Sequence, residues 1–101
     1  YKILKQGTGS RPQPNNYVMV HYTGKFLDGT IFDSSIERGE PLRINVGGVI
    51  KGWTEALTLM PQGSKWILYI PSDLGYGDYG SGPIKPGATL IFEVELLEIV
   101  N

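Results

Sequence analysis

The chain has 101 residues, which is enough for a single domain with one modest hydrophobic core. Its hydrophobic fraction of 41% argues against disorder, and its formal net charge of −1, without a long run of one sign, argues against a nucleic-acid partner and an anionic lipid surface. The sequence contains no cysteine, which excludes disulfides and thiolate chemistry.

The ends of the chain and its apolar runs set the expected domain organisation. The longest apolar runs are far shorter than the roughly 20 residues of a membrane helix, so no membrane insertion by this domain is expected. No signal peptide is visible, and the chain begins at Tyr1 rather than at a methionine. We therefore expect one domain over residues 1–101, excised from a longer chain that would carry any targeting segment.

Short alternating segments at the start of the chain predict strands. Residues 1–5 are half apolar and predict an edge strand, whose lysines would discourage further pairing. Residues 10–16 contain Pro and Asn pairs and predict a loop, and residues 17–27 predict the next strand. One face of that strand carries Val18, Val20 and Tyr22, and the other carries Met19, His21 and Thr23.

A hairpin and a short strand are expected next. Asp28-Gly29 is typical of a type I′ turn, so residues 30–33 are expected to return as the partner strand. Residues 34–41 are polar and turn-like, and residues 42–46 alternate as another short strand.

One helix is predicted, over about residues 53–60. It is indicated by apolar residues at three- and four-residue spacing, Trp53, Ala56, Leu57 and Met60, followed by Pro61 and Gly63. A helix of about two turns does not persist alone, so it must pack against a sheet. Residues 65–70 and 89–100 predict further strands, separated by a long Gly/Pro loop at 75–87. The pattern indicates a mainly antiparallel α+β domain.

Three possible chemical motifs are weak when their context is considered. Residues 75–80 match G-x-G-x-x-G, but prolines surround them where a dinucleotide site needs a strand and a helix, so we interpret them as a loop. His21 is the only histidine, which argues against a hydrolytic triad or a metal site. The aspartates lack the spacing of a calcium loop. No metal site and no cofactor are therefore predicted.

Large apolar residues at turns and element ends are the most informative feature. Taken singly, Trp53 at the helix start is most simply a core residue, and the same holds for Tyr22, Phe32 and Phe92. Taken together with Tyr76 in the glycine loop and with Val49-Ile50 at the helix entrance, they favour a dry pocket with polar groups at its rim.

Six segments, in this order, resemble the FKBP-type peptidyl-prolyl cis–trans isomerases. They are Val20-His21-Tyr22-Thr23-Gly24, Asp28-Gly29, Phe32-Asp33-Ser34-Ser35, Val49-Ile50-Lys51-Gly52-Trp53, Tyr76-Gly77 and Ala88-Thr89-Leu90-Ile91-Phe92-Glu93-Val94-Glu95-Leu96-Leu97. The resemblance spans the whole chain. Residues 59–66 look most like bacterial envelope members such as the macrophage infectivity potentiator proteins, which suggests the bacterial envelope or periplasm as the compartment.

The resemblance implies a twisted antiparallel β-sheet wrapped around one short α-helix. The implied catalytic set consists of Tyr22, Phe32, Asp33, Ile50, Trp53, Tyr76 and Phe92, with Trp53 as the pocket floor. Asp33 would lie at the rim, and the Ile50 N–H and the Tyr76 hydroxyl would hold substrate carbonyls. The implied substrate-binding set consists of Arg38, Leu42, Ile44, Val49 and Ile84; Arg38 is expected to pair with Asp33, and Ile84 to lie on a covering loop.

The implied activity is acceleration of X–Pro bond rotation in peptides and folding proteins, and the implied ligands include the macrolides rapamycin and tacrolimus. The alternative is a proline-directed peptide-binding or chaperone module with little turnover, and a purely structural domain would leave the turn aromatics without a purpose. Leu42 and Ile44 stand where many members have phenylalanine, and residues 78–83 also depart from the best-known members, which bears on substrate preference and inhibitor affinity.

Overall fold

The computed structural model describes residues 1–75, 77, 84 and 87–100. Within them, one six-stranded antiparallel sheet has the strand order β1-β5-β6-β2-β3, and β4 also pairs with β2. The strands are β1 Lys2–Lys5, β2 Tyr17–Lys25, β3 Ile31–Ser34, β4 Leu42–Asn45, β5 Lys65–Ile70 and β6 Leu90–Ile99. The predicted edge strand is confirmed, since β1 pairs only with β5 among these strands.

The strand β2 organises the part of the sheet that carries the site. On one side it pairs with β6 along its length, from Val18 opposite Ile99 to Lys25 opposite Ile91. On its other side two short strands share the edge: β4 pairs with residues 17–20 and β3 with residues 23–25. Positions 21 and 22 therefore fall in a gap between the two short partners.

Residues 34–41, expected to be a polar turn, contain a one-turn helix, α1 Ser35–Arg38. The Ser34 side chain accepts a hydrogen bond from the Glu37 N–H, and Gly39 ends the helix with a φ of 82°. A serine followed three residues later by glutamate is a helix-start signal, and a glycine with positive φ is a common stop. The sequence pattern missed α1 because a single turn is too short for an apolar period to appear.

The principal helix, α2 Lys51–Leu57, begins two residues earlier than predicted and ends three residues earlier. The Ile50 carbonyl accepts from the Trp53 and Thr54 N–H groups, so the first turn precedes the tryptophan. Among the described residues no side chain caps this end, which explains why no start signal is visible in the sequence. Met60, which the apolar spacing placed in the helix, lies after the end of α2 and is fully buried there.

The hairpin between β2 and β3 also differs from the predicted two-residue type I′ turn. The Gly29 N–H donates to the Phe26 carbonyl and the Phe26 N–H donates to the Thr30 carbonyl, which makes a longer loop. Gly29 takes a positive φ of 90°, and the Asp28 side chain accepts from the Thr30 N–H at 2.9 Å. This is the three-residue loop with a glycine bulge, the next commonest hairpin connection.

The core lies between the sheet and α2, and the mainly antiparallel α+β class is confirmed. Val18, Val20 and Tyr22 are buried on the face of β2 that was predicted to be apolar, whereas Met19 and His21 are half-buried. The predicted apolar face of the helix is buried as well, with exposures of 0–7% for Trp53, Ala56, Leu57 and Met60. Over the described residues, no helix is long and apolar enough to cross a membrane.

Candidate active site

A concave cavity of about 510 Å³ opens beside β2, β3, β4 and the start of α2. Such a volume suits a small apolar group with its flanking atoms. Its lining is mostly apolar and consists of Tyr22, Phe32, Asp33, Leu42, Ile44, Gly48, Val49, Ile50, Trp53 and Phe92.

Four aromatic rings pack edge to face at the bottom of the cavity. Trp53, in the first turn of α2, is 5% exposed, and its ring centroid lies 5.3 Å from those of both Tyr22 and Phe92. Phe32 meets Phe92 at 5.6 Å, again nearly perpendicular. Edge-to-face pairs are favourable beyond the area they bury, so each ring fixes the orientation of the next.

A glycine in β2 makes room for two of these rings. Gly24 pairs with Asp33 on β3 and with Phe92 on β6, at the point where the strands carry the cavity walls. A methyl group at Gly24 would lie 2.7 Å from Phe32 Cζ and 2.9 Å from Phe92 Cε1. The two rings therefore occupy the space that any other residue at position 24 would fill.

The polar rim of the cavity is a ring of three hydrogen-bonded groups, which we call the rim triad: Tyr22, Asp33 and Arg38. The Tyr22 hydroxyl donates to one Asp33 oxygen at 2.5 Å, and Arg38 pairs with the other. Arg38 Nη2 also donates to the Tyr22 oxygen at 2.9 Å. The ion pair expected between Arg38 and Asp33 is therefore present, and α1 is the element that carries Arg38 to it.

These contacts shift the acid–base properties of the triad. Burial raises the pKa of the Tyr22 phenol above its ordinary 10.0, and the hydrogen bond with Asp33 raises it further against the smaller opposing effect of Arg38. Burial alone would raise the pKa of Asp33, but the hydrogen bonds from Tyr22 and Arg38 together with the Arg38 charge hold it below 3.8. At neutral pH the phenol is neutral and the carboxylate is ionised.

A backbone donor lies at the entrance of α2. Ile50 lines the cavity, and its carbonyl begins the helix by accepting the N–H groups of Trp53 and Thr54 at 3.0 and 3.2 Å. No described residue accepts a hydrogen bond from the Ile50 N–H. A backbone donor at a cavity wall is suited to a carbonyl of a bound chain.

The structure brings together most of the residues predicted for the site. Nine of them line the cavity: Tyr22, Phe32, Asp33, Leu42, Ile44, Val49, Ile50, Trp53 and Phe92. Arg38 joins them through the rim triad. Ile84 is 6% exposed within the hydrophobic core and is not among the lining residues, and Tyr76 lies outside the described residues. Gly48 also lines the cavity and was not predicted, because a glycine has no side chain to mark it.

The comparisons with known proteins agree with this geometry. Residues 9–97 match the family model described as FKBP-type peptidyl-prolyl cis-trans isomerase. The chain is 58% identical over 101 residues to the FKBP-type 22 kDa peptidyl-prolyl cis-trans isomerase of Escherichia coli K12, covering 99% of this chain and 49% of that protein. It is 49% identical to the outer membrane protein MIP of Legionella longbeachae, covering 98% and 43%.

Solved structures give the same result at the level of the backbone. The crystal structure of FkpA from Escherichia coli superposes with a TM-score of 0.93 at 44% identity, covering 96% of this chain and 46% of that one. A Pseudomonas syringae peptidyl-prolyl cis-trans isomerase gives 0.91 at 45% identity, covering 98% and 73%. The chain belongs to the FKBP-type peptidyl-prolyl cis–trans isomerase family, and it spans half or less of the first curated relatives it matches.

Proposed function

We propose that this domain catalyses cis–trans isomerisation of X–Pro peptide bonds, with proline seated on Trp53. The observation that carries the proposal is the cavity floored by Trp53, Tyr22 and Phe92, which are 3–6% exposed, beneath a rim whose charged groups are paired with each other. The interior is therefore apolar, while hydrogen-bonding groups are available at its edge.

The chemistry of the reaction suits such a site. Rotation about a peptide bond is slow because it breaks amide resonance, at a cost of about 18–20 kcal/mol. For X–Pro the two ground states differ by only about 0.5–1 kcal/mol, so the reaction needs a lower barrier and no bond is cleaved. The twisted amide is less polar than the planar one. A dry aromatic cavity therefore binds the transition state better than the ground state, which is the requirement for catalysis.

Each part of the cavity takes one task in this mechanism. The Trp53 floor and the rings of Phe32 and Phe92 hold the proline ring and exclude water. The Ile50 N–H donates to a substrate carbonyl beside the proline, which fixes the chain while the bond turns. Within the rim triad, Asp33 and Arg38 hold the Tyr22 hydroxyl in place, and Arg38 neutralises the Asp33 charge at the edge. Carbonyl binding by the Tyr76 hydroxyl stays a prediction.

Substrates and inhibitors follow from the same cavity. We propose that the substrates are X–Pro segments of unfolded or flexible proteins and that rapamycin and tacrolimus occupy the cavity. Leu42, Ile44 and Val49 form its open apolar wall, where the residue preceding proline would lie. A bacterial envelope location for the whole protein is supported by the Legionella relative that is named an outer membrane protein.

The decisive experiment is a protease-coupled isomerisation assay on a short Leu-Pro peptide, with and without rapamycin. We expect catalysis that saturating rapamycin abolishes, and Trp53→Leu should lose it while remaining folded. Absence of catalysis together with tight peptide binding would instead support the peptide-binding module. Absence of rapamycin binding at tens of micromolar, where the binding free energy is only about 6 kcal/mol, would contradict the cavity assignment.

A further inference from the structure

The junction between β3 and α1 holds a buried hydroxyl that the mechanism above does not use. Ser35, the first residue of α1, is fully buried, and its Oγ accepts a hydrogen bond from the Tyr22 N–H at 2.8 Å. The same Oγ lies 2.9 Å from His21 Nδ1 and 3.4 Å from the Tyr22 carbonyl oxygen. One hydroxyl therefore contacts both residues that fall in the gap along the edge of β2.

The sheet register explains why a side chain is needed there. Thr23 pairs with Ser34 and Gly24 with Asp33, so one further step of β3 would place Ser35 beside Tyr22. The backbone instead turns into α1 at Ser35, and this turn brings Arg38 back to the rim. The backbone carbonyl that a continuing strand would offer Tyr22 is thereby diverted. The Ser35 hydroxyl replaces it as acceptor, and a buried N–H without an acceptor is costly.

We propose that Ser35 is a positioning residue for the isomerisation, which fixes the backbone of Tyr22 so that its phenol meets Asp33 and its ring meets Trp53. The inference rests on the proposed isomerase function. Tyr22 contributes to both the rim and the floor, with 2.5 Å to Asp33 and 5.3 Å between ring centroids to Trp53. A shift of its backbone therefore displaces both parts of the site at once, although Ser35 is not among the residues that line the cavity.

The test compares Ser35→Ala with Ser64→Ala in the isomerisation assay, with kcat and KM measured separately. Ser64 is a matched control because it is also fully buried and its hydroxyl accepts a hydrogen bond from a backbone N–H, that of Gly7, at 2.8 Å. Ser64 is not among the residues that line the cavity. We expect Ser35→Ala to lower kcat about tenfold with KM nearly unchanged, because a loss confined to kcat marks an interaction of the transition state. Ser64→Ala should lower stability alone.

A double-mutant cycle with Tyr22→Phe separates positioning from a general structural role. If Ser35 acts through Tyr22, the double variant should lose far less activity than the product of the two single losses. Ser35→Cys keeps a group of similar size with a weaker acceptor and gives a graded effect even if the alanine variant unfolds. Multiplicative losses, or equal kcat for Ser35→Ala and Ser64→Ala, overturn the inference. An inactive wild-type domain overturns the proposed function itself, so the two failures are distinguishable.

Discussion

Gly24→Ala is the sharpest perturbation of the aromatic walls, because it adds one methyl group and removes nothing. In ideal geometry that methyl would lie 2.7 Å from Phe32 Cζ and 2.9 Å from Phe92 Cε1, where ordinary van der Waals contact begins at 3.4 Å. Both rings must therefore retreat by about half an ångström or more, or the strand must bend. Overpacking of this kind typically costs about 1–3 kcal/mol of stability.

The larger consequence should be for catalysis. Phe92 is 3% exposed and its ring centroid lies 5.3 Å from that of Trp53, so a displacement of the Phe92 ring changes its contact with the floor. Misplacement of a site by about 1 Å can cost a hundredfold in rate. We expect the catalytic efficiency of Gly24→Ala to fall at least tenfold at a temperature where the variant is fully folded.

Gly29→Ala is the matched control for this experiment. It also adds one methyl group to a glycine of the β2–β3 hairpin, but its methyl would meet no atom of the described residues within 4 Å. Its φ of 90° is strained for alanine, so a stability loss of about 1–2 kcal/mol is expected. Urea unfolding gives the stabilities and the protease-coupled assay gives the rates. Wild-type activity in Gly24→Ala, or equal activity losses in both variants, would refute the assignment of Phe32 and Phe92 as the walls that bind proline.

Three further outcomes are expected from the same site. Phe92→Ala should lose about 3–5 kcal/mol of stability together with activity, because Phe92 is buried. Asp33→Ala should lose activity with little change in Tm, because its exposed ion pair contributes about 1 kcal/mol or less. A large Tm shift in Asp33→Ala would mean that Asp33 is a structural group. Turnover should be flat from about pH 6 to 8, because the pKa of Asp33 is lowered from 3.8 and the pKa of Tyr22 is raised from 10.0. The stability that Asp33 contributes is lost only as the pH falls through its lowered pKa. A rate step that disappears in His21→Ala would contradict the flat rate profile. Peptides with Leu before proline should turn over faster than those with Glu, because Leu42, Ile44 and Val49 line the cavity, and equal rates would mean that this wall does not contact X.

The strands and the core face of α2 were predictable because their signals are local. In β2, the buried residues Val18, Val20 and Tyr22 alternate with the half-buried Met19 and His21, and such alternation is the pattern of a strand with one face on the core. The apolar spacing from Trp53 to Leu57 predicted the buried face of α2 in the same way.

The hydrogen bonds that join elements were not predictable from local patterns. No side chain in the described part of the chain caps the N-terminus of α2, and its first turn is set by the Ile50 carbonyl. The signal for α1 was present as Ser34 and Glu37, but it is only one turn long. The contact of Ser35 with Tyr22 joins residues 13 positions apart, and it depends on the register in which β3 pairs with β2.

The arrangement of charge and burial in the site follows from what each group would cost elsewhere. A charge placed at the cavity floor would be desolvated and would also favour the planar, more polar amide over the twisted one. The charged side chains are instead 42% exposed for Asp33 and 46% for Arg38, where water offsets their desolvation and their main effect is geometric. Their hydrogen bonds hold Tyr22, which carries that geometry inward as an uncharged ring against Trp53. The one-turn helix α1 makes this possible by returning Arg38 to the rim within five residues of Asp33. Two polar side chains support this turn of the chain: Ser34 caps α1, and Ser35 accepts the Tyr22 N–H. These buried polar contacts thus help to hold the rings of the apolar pocket in place.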